Sequence, residues 1–415
     1  SMETDFQTVE EARIKILSLL KPITGTRTVA IRDSLDQVLA ADLLSPINVP
    51  AHDNSAMDGY AFNSNCIQNT DITQLKMIGT AYAGKAFNGS CAHGECVRIM
   101  TGAVMPQNCD TVLVQENATV SGDHISFPPG AVKAGDNRRL AGEDLTIGKP
   151  ALPAGKVLRP ADLGLLASLG IAEISVRRKL RVAFFSTGDE LRSLGQPLDE
   201  GCVYDSNRYT LYGMLTRLRF IELLDMGVVH DSPEALEQAM LQAMEQADVI
   251  VTSGGVSVGE ADYTKHVMEK LGSVNFWKIA MRPGRPMAFG QVHNKANGDS
   301  AYLFGLPGNP VAVMVTFYAF VRDALFKLAN ANPLPVPMLN AKLVQNVRKR
   351  PGRTEYQRAR LVMEDGVLVA HLTGSQGSGI LRSMSESDGL LVLDHEQGDL
   401  KAGDTVLALP FEGLI

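Results

Sequence analysis

The chain has 415 residues, enough for about two to four domains if a domain averages about 150 residues. Its hydrophobic content of 45% and charged content of 20% are those of an ordinary soluble protein. No apolar run approaches the roughly 20 residues that a membrane span needs, and the net charge of −7 argues against a general nucleic-acid surface. No basic and apolar signal segment opens the chain, so we expect a cytoplasmic protein without nucleic-acid or membrane partners.

The N-terminal part of the chain combines isolated helices with a β-rich stretch. Residues 8–21 are predicted to be helical, since Thr8 and Glu11 have capping-box spacing and apolar residues then recur on one face. Between about residues 26 and 150, short β-rich runs alternate with turns rich in glycine, proline and asparagine. A second helix is predicted in "RPADLGLLASLG", with Pro160 in its first turn and Gly170 just beyond its end.

From about residue 176 the pattern becomes that of an α/β fold. Buried strands are predicted in "RVAFFS", "FIELLDMGVV", "ADVIVTSGG", "VNFWKIAM" and "AYLFGLPG". Helices are predicted in "NRYTLYGMLTRL", "SPEALEQAMLQAMEQ" and "YTKHVMEKL", followed by a long, mostly apolar helix capped by Asn309. This alternation indicates a largely parallel sheet covered on both faces.

The last part of the chain is predicted to be a separate β domain. A proline-rich linker at residues 329–337 precedes strands and turns without a long helix, which indicates a small barrel or sandwich. The α/β part has its full set of helices only if the N-terminal helix packs back on it. The β-rich stretch before residue 150 would then be an insertion.

The glycine-rich turn "TSGGVSVGEAD", residues 252–262, follows a predicted strand and precedes a helix. Three other turns, at residues 186–191, 229–233 and 305–310, occupy equivalent strand ends, where parallel α/β sheets bind ligands. Gly254, Gly255 and Gly259 would let a ligand approach backbone amides, as in a phosphate cradle. The turn at residues 252–262 is not a Walker A loop, because no Gly-Lys-Ser/Thr follows.

These turns also carry acidic residues, namely Glu190, Asp231, Glu260 and Asp262. Carboxylates beside a phosphate would repel it unless a divalent cation intervened, and Mg²⁺ binds through one or two carboxylates and substrate phosphates. Helix capping is the alternative for Asp231 and Asp262, because acids are favoured near helix starts. Either acid alone supports both interpretations equally, and the set together favours function.

Basic residues follow in two groups. "FWKIAMRPGRP" contributes Lys278, Arg282 and Arg285, and "RPGRTEYQRAR" adds Arg353 and Arg358. With the hydroxyls and amides of "TGSQGSG", residues 373–379, they suit a tetrahedral dianion such as phosphate, sulfate or molybdate. Charge alone does not choose among these. Three upstream loops, "DNSAMDGYA", "RIMTGA" and "NRRLAGED", have ordinary turn chemistry by themselves.

Taken together, these strings resemble the MoeA family, the molybdopterin molybdenumtransferases, most closely those of the enterobacterial type. The matching motifs are "DNSAMDGYA", "RIMTGA", "GED", "FSTGDEL", "YDSN", "SGGVSVGEADYTK", "FWKIAMRPGRP", "GLPGNPV", "PGR…QR" and "GSQGSG", over about residues 47–380. The resemblance implies insertion of molybdate into adenylylated molybdopterin, with Mg²⁺-dependent release of AMP. It also implies a homodimer whose active cleft joins two subunits, and contact with molybdopterin adenylyltransferase.

The resemblance implies a multidomain α/β protein with four domains. A three-layer, adenylyltransferase-like α/β domain would comprise residues 1–25 and 176–330. A small linking domain would comprise residues 26–45 and 150–175, a β-rich insertion residues 46–149, and a C-terminal β-barrel residues 331–415.

The resemblance also assigns roles to individual residues. The catalytic acids would be Asp58, Asp144, Glu190, Asp231 and Asp262, of which Glu190, Asp231 and Asp262 would hold the metal. The substrate-binding residues would be Thr101, Gly254, Gly255, Ser257, Lys278, Arg282, Arg358 and Ser378.

At three positions within the matching motifs, the chain departs from the residues that are usual in the family. Arg282 and Arg285 stand where lysine is common, which keeps the charge but changes the donor geometry. Ala312 stands where serine is frequent, so one hydroxyl contact is absent.

Two alternatives to the transferase function are a non-catalytic scaffold of the same fold and a molybdopterin adenylyltransferase.

The cysteines do not form a metal-binding pattern. "CAHGEC", residues 91–96, superficially resembles a set of metal ligands, but no second Cys/His pair stands at zinc spacing. We therefore interpret the five cysteines as reduced, structural thiols.

Overall fold

The protein is described by a computed structural model that covers residues 6–255, 262–284, 286–374 and 381–411. The chain forms two compact units. The first comprises the described residues within Ser1–Ala41, Gly155–Gly164 and Ala172–Ile415, and the second comprises Asp42–Ala154 and Leu165–Ile171. No helix in the described residues is long and apolar enough to cross a membrane.

A seven-stranded sheet forms the centre of the first unit. Its strands, from one edge to the other, are Phe6–Gln7, Gly272–Ile279, Pro286–His293, Ser300–Leu306, Val249–Ser253, Leu180–Thr187 and Ile221–Val229. The last four are parallel, as predicted. Pro286–His293 runs antiparallel to both of its neighbours. This strand was not predicted from the sequence, where only the preceding "RPG" was interpreted, as a break that presents the basic residues in a loop.

Alternate residues of the sheet enter two different hydrophobic clusters. Val182 and Phe184 lie in one cluster, and Ala183 and Phe185 lie in the other. Strands that are buried on both faces are therefore apolar at consecutive positions, which explains runs such as "VAFF". The prediction of a sheet covered on both faces is confirmed.

The described residues also form a set of α-helices. They are Val9–Leu19, Pro160–Ser168, Asn207–Thr216, Pro233–Gln246, Asp262–Leu271, Pro310–Thr316, Arg322–Leu328 and Leu381–Ser385. The N-terminal helix is capped by Thr8, whose hydroxyl accepts a hydrogen bond from the Glu11 backbone N at 3.0 Å. It packs back on the α/β core as expected, with Ala12 and Ile16 in the same cluster as Phe184.

The predicted long apolar helix after Asn309 is interrupted. A π-helical segment, Phe317–Val321, separates the α-helices Pro310–Thr316 and Arg322–Leu328. The Thr316 hydroxyl donates to the Ala312 carbonyl at 2.7 Å just before this segment. The Asn309 side chain makes no capping hydrogen bond, so the predicted cap is wrong in that respect.

The C-terminal part of the first unit is a closed barrel of five strands. Around the ring these are Thr354–Glu364, Val367–Leu372, Leu339–Leu343, Thr405–Pro410 and Gly389–Leu393. The ring closes because Thr354–Glu364 pairs with both Val367–Leu372 and Gly389–Leu393. A short strand, Met281–Arg282, also pairs with Thr354–Glu364 and connects the basic loop to the barrel. Barrel, rather than sandwich, is therefore the fold of this region.

The second unit is built on a six-stranded sheet. Its order is Thr111–Val114, Gly59–Phe62, Glu95–Ile99, Thr73–Ala81, His124–Phe127 and Thr119–Ser121. Tyr60 and Phe62 enter one hydrophobic cluster of this unit, and Ala61 enters another. The β-rich character predicted from the short strands and turns is confirmed.

Short two-stranded pairs complete the strands. They are Thr26–Ala30 with Glu173–Arg177, Leu43–Leu44 with Pro150–Leu152, Asn54–Ser55 with Arg138–Arg139, and Leu191–Arg192 with Val203–Tyr204. All five cysteines are free, as expected for reduced thiols.

Candidate active site

A cavity of about 610 Å³ lies at the carboxyl ends of the parallel strands of the first unit. Four of the predicted site residues line it: Glu190, Asp231, Gly254 and Gly255. They come from three turns that are far apart in the sequence. Parallel strands bring their carboxyl ends to one edge of a sheet, so the topology itself assembles these turns.

The glycine turn fits closely against its neighbours. Gly254 and Gly255 have positive φ angles of 88° and 72°, which side-chain-bearing residues rarely adopt. A Cβ atom on Gly254 would lie 2.7 Å from the Thr187 carbonyl oxygen. The Gly254 backbone N donates to the Leu306 carbonyl at 3.1 Å, which ties the turn to the adjacent strand. Glycine is therefore required for this turn to reach the cavity.

The carboxylate of Glu190 folds back over Gly188. A Cβ atom on Gly188 would lie 2.7 Å and 2.8 Å from the two carboxylate oxygens of Glu190. Gly188 also has a φ of 151°, in the range that favours glycine. The position of the carboxylate thus depends on the absence of a side chain two residues before it.

Asp189 connects the turn that carries Glu190 to the turn that carries Asp231. Its Oδ1 accepts a hydrogen bond from the Asp231 backbone N at 3.2 Å and lies 3.0 Å from His230 Nδ1. Two acidic turns at the ends of adjacent parallel strands are therefore held together by a direct contact.

A buried network of hydroxyl and carboxylate groups lies next to the cavity, which Ser253 lines. The Ser186 hydroxyl donates to Asp205 Oδ1 at 3.0 Å and lies 3.1 Å from the Ser253 hydroxyl. Asn207, which lines the cavity, donates through Nδ2 to the Gly308 carbonyl at 2.8 Å. Its Oδ1 is buried and has no hydrogen-bond partner among the described residues. Asp205 and Asn207 were not among the predicted site residues, although both belong to "YDSN", whose asparagine begins the helix Asn207–Thr216.

Lys278, Arg282, Arg353 and Arg358, the predicted basic residues that the structure describes, are not among the residues lining this cavity. Arg282 lines a second cavity of about 240 Å³ beside the barrel, and Lys278 Nζ lies 5.9 Å from the centre of the Phe6 ring. Arg358 is buried, with 1% of its surface exposed. Burial lowers the pKa of Arg358, and the positive charge of Arg282 lowers this pKa further. Arg282 and Arg358 thus interact electrostatically.

Three predicted residues lie in the second unit. Asp58 Oδ1 accepts hydrogen bonds from the Thr101 backbone N and hydroxyl, both at 2.8 Å. These bonds lower the pKa of Asp58. Asp144 is exposed, and its backbone N donates to the Val49 carbonyl at 3.0 Å. The structure therefore joins Asp58 to Thr101.

Several predicted positions lie outside the described residues. They are Ser257, Gly259, Glu260, Arg285 and Ser378. Asp262 is the first residue of the helix Asp262–Leu271, as predicted from the acid near a helix start. Its side chain is not among those described.

Three family descriptions match successive parts of the chain. Residues 7–170 match the MoeA N-terminal region (domain I and II), residues 183–327 match a probable molybdopterin binding domain, and residues 340–411 match the MoeA C-terminal region (domain IV). Together they span most of the described residues.

Curated relatives are similar over nearly the whole chain. The molybdopterin molybdenumtransferase of Haemophilus influenzae is 41% identical over 410 residues, which cover 98% of this chain and 99% of that protein. The Nostoc protein of the same name is 34% identical over 90% of this chain and 86% of that protein. The Dictyostelium discoideum protein gephyrin is 31% identical, over 92% of this chain and 59% of gephyrin.

Solved structures give the same result. A molybdopterin biosynthesis MoeA protein from Pyrococcus horikoshii superposes with a TM-score of 0.80 at 26% identity, covering 98% of this chain and all of that one. The family descriptions, the curated relatives and the solved structure all indicate the same family. The chain therefore belongs to the MoeA family.

Proposed function

We propose that this protein is a molybdopterin molybdenumtransferase of molybdenum cofactor biosynthesis. In this proposal it inserts molybdate into adenylylated molybdopterin and releases AMP with the help of Mg²⁺. The observation that carries the proposal is the convergence of Glu190 and Asp231 with the Gly254–Gly255 turn in one cavity. Full-length similarity to proteins named molybdopterin molybdenumtransferase supports the same reaction.

The glycine turn suits the diphosphate of the nucleotide. It follows a parallel strand, and the next described element is the helix Asp262–Leu271, an arrangement that binds phosphate groups in α/β folds. Glycine at both positions lets the turn pack against Thr187 while it lines the cavity. Two carboxylates in the same cavity would repel a diphosphate if no cation intervened.

The oxygen donors of the cavity fit Mg²⁺. Glu190 and Asp231 provide carboxylates to the cavity. No group of three or more His, Cys, Asp or Glu side chains able to hold a metal occurs among the described residues. Mg²⁺ binds through one or two carboxylates together with water and substrate phosphates, so it would not need a larger cluster. We propose Glu190, Asp231 and Asp262 as its holders. When bound, Mg²⁺ would polarise the phosphoryl oxygen and stabilise the departing AMP.

The basic residues are proposed to hold the remaining negative charge. Lys278 and Arg282 offset the charge of the diphosphate, and molybdate binds beside Arg358 and Ser378. The electrostatic coupling of Arg282 with the buried Arg358 supports this assignment, because an anion between two cations relieves their repulsion. Either a molybdate oxygen or water attacks the phosphorus.

The second unit is proposed to complete the site across a homodimer. Asp58, Thr101 and Asp144 of one subunit would face the acidic turns of the other. The lowered pKa of Asp58 keeps this carboxylate ionised, which suits a role beside a cation or a positively charged group. The four domains, as divided in the sequence analysis, and contact with a molybdopterin adenylyltransferase are part of this proposal.

One assay separates the three candidate functions. The protein is mixed with adenylylated molybdopterin, molybdate and Mg²⁺, and in parallel with molybdopterin and ATP. Release of AMP with formation of active cofactor supports the transferase. Consumption of ATP would instead identify an adenylyltransferase, and binding without turnover a scaffold.

A variant tests the metal role within the same assay. Asp262→Ala should abolish most AMP release while leaving the circular dichroism spectrum unchanged. Undiminished turnover in Asp262→Ala would refute its part in metal binding.

A further inference from the structure

The guanidinium group of Arg98 binds two groups that lie next to Asp58. Arg98 belongs to a strand that pairs with the strand beginning directly after Asp58, at Gly59. Its Nη1 donates to the Gly59 carbonyl at 3.0 Å, and its Nη2 donates to Gln115 Oε1. The same side chain is thus bonded to the residue that follows Asp58 and to a residue of another segment.

Gln115 in turn binds the backbone of Asp58. Its backbone N donates to the Asp58 carbonyl at 3.0 Å. Gln115 directly follows the strand Thr111–Val114, which pairs with Gly59–Phe62 on the side opposite to the strand of Arg98. Arg98 therefore reaches across the intervening strand and connects three neighbouring segments around Asp58.

Packing restricts the orientation of this guanidinium group. Its central carbon lies 5.0 Å from the centre of the Tyr60 ring, and Tyr60 stands beside Arg98 in the register of the two strands. A planar group that stacks on a ring and donates in two fixed directions loses little freedom for each bond that it forms. Lysine would keep the positive charge but would not reproduce this fork of donors. The geometry of arginine, and not its charge alone, suits this position.

Arg98 and Thr101 fix different parts of Asp58. Thr101 donates two hydrogen bonds to the carboxylate, from a position three residues after Arg98. Arg98 instead binds the carbonyl that follows Asp58 and the side chain of Gln115. The pKa of Asp58 is lowered mainly by the bonds from Thr101 and to a smaller extent by the positive charge of Arg98. We therefore expect Arg98 to act chiefly through the position of the carboxylate, on which both bonds from Thr101 depend.

We infer that Arg98 is a positioning residue, which holds Asp58 where Thr101 bonds to its carboxylate. Removing the guanidinium group would free the Gly59 carbonyl and the Gln115 side chain, so the backbone at Asp58 would be less restrained. Misplacement of a reacting group by about 1 Å costs about 100-fold in rate. The inference rests on the proposed function, in which Asp58 takes part in the transferase reaction.

Carbon NMR of labelled aspartate carboxyls, over an acid titration of the full chain, tests this position through the pKa of Asp58. Arg98→Met should raise this pKa towards its ordinary value of 3.8, because the bonds from Thr101 and the nearby charge are both weakened. Arg98→Lys keeps the charge without the fork of donors, so it should also raise the pKa, but by less. The amide signal of Thr101, which donates to Asp58, should lose part of its pH dependence in both variants.

Lys76→Met is the matched control. Lys76 is an exposed residue of the strand Thr73–Ala81, on the other side of the strand that carries Arg98. The variant removes one positive charge from the same sheet, and the pKa of Asp58 should not change. Thermal unfolding checks the fold of all three variants, and Arg98→Lys provides the test if Arg98→Met is unstable. A wild-type pKa for Asp58 in Arg98→Lys would overturn the inference, because charge alone would then explain any effect of Arg98.

The transferase assay connects this position with the reaction. Arg98→Met should lower kcat for AMP release by about tenfold or more and leave KM for adenylylated molybdopterin nearly unchanged, because Arg98 acts through Asp58. Arg98→Lys should restore part of kcat. A wild type that releases no AMP would refute the proposed function, whereas the titration would still show whether Arg98 positions Asp58. An active wild type with undiminished kcat in Arg98→Met would overturn the role of Arg98 in the reaction.

Discussion

Asp58 Oδ1 accepts two hydrogen bonds from Thr101, one from its backbone N and one from its hydroxyl, each 2.8 Å long. The two residues are 43 positions apart and belong to separate loops of the second unit. The bonds favour the ionised carboxylate, so the pKa of Asp58 is lower than its ordinary value of 3.8. The proposed catalytic acid is therefore held in place by direct hydrogen bonds from a proposed substrate-binding residue.

Thr101→Val should raise the pKa of Asp58 towards 3.8 but not fully, because the backbone hydrogen bond is the larger cause and remains. Thr101→Ser keeps the hydroxyl and should leave this pKa low. Because the pKa of Asp58 is lower in the folded than in the unfolded chain, its ionised carboxylate stabilises the fold at pH values above the unfolded-state pKa. This contribution is lost as the pH falls through the folded-state pKa. Carbon NMR of labelled aspartate carboxyls over an acid titration measures both variants. Identical titration of Asp58 in Thr101→Val and wild type would contradict the role of the hydroxyl.

Gly188→Ala should displace the Glu190 carboxylate. The new methyl group would lie within 3 Å of both carboxylate oxygens, so Glu190 must rotate away. We expect at least a tenfold higher Mg²⁺ concentration for half-maximal AMP release, a loss of the size seen when support for a metal ligand is removed. Gly195→Ala is the matched control, because Gly195 also has a positive φ, of 86°, but a Cβ there meets nothing within 4 Å. Equal Mg²⁺ dependence in the two variants would show that the carboxylate position is unimportant.

Asp231→Asn should weaken Mg²⁺ binding while preserving the shape of the side chain. The amide lacks the negative charge that a hard divalent cation prefers, so we expect a loss of about tenfold or more in apparent Mg²⁺ affinity. High Mg²⁺ should restore part of the AMP release. Glu234→Gln, an equal charge change in the exposed first turn of the following helix, serves as the control. If Asp231→Asn and Glu234→Gln respond alike to Mg²⁺, Asp231 is not a ligand.

Phe184→Ala should destabilise the α/β core by about 3–5 kcal/mol, because it removes a fully buried aromatic side chain and leaves a cavity. Ile14→Ala, at a side chain that is 60% exposed, should change stability by about 0.5 kcal/mol or less. Urea denaturation followed by the fluorescence of Trp277, in the same sheet, reports on this core. A small loss in Phe184→Ala would mean that the core collapses around the gap.

Several elements were predictable from local sequence. The capping pattern of Thr8 and Glu11 determined where the first helix begins, because the cap is a contact between residues three apart. Consecutive apolar residues such as those of Leu180–Thr187 indicated a strand buried on both faces. The motif order along the chain was enough to identify the MoeA family.

Other elements depend on partners that are distant in the chain. Pro286–His293 forms a strand because neighbours on both sides complete its hydrogen bonds. The π-helical segment Phe317–Val321 is mostly buried, and no local signal in the sequence predicted it. The contact of Asp189 with Asp231 and the location of Asn207 in the cavity follow from strand order, which periodicity does not reveal.

The sequence by itself determined the secondary structure with local signals, the family and the chemical types of the site residues. Only the tertiary structure decided which of them meet: Glu190, Asp231 and Gly254 share a cavity. The physical reason is that capping and periodicity act over a few residues. Burial, charge coupling and hydrogen-bond satisfaction, in contrast, depend on groups that only the folded chain brings together.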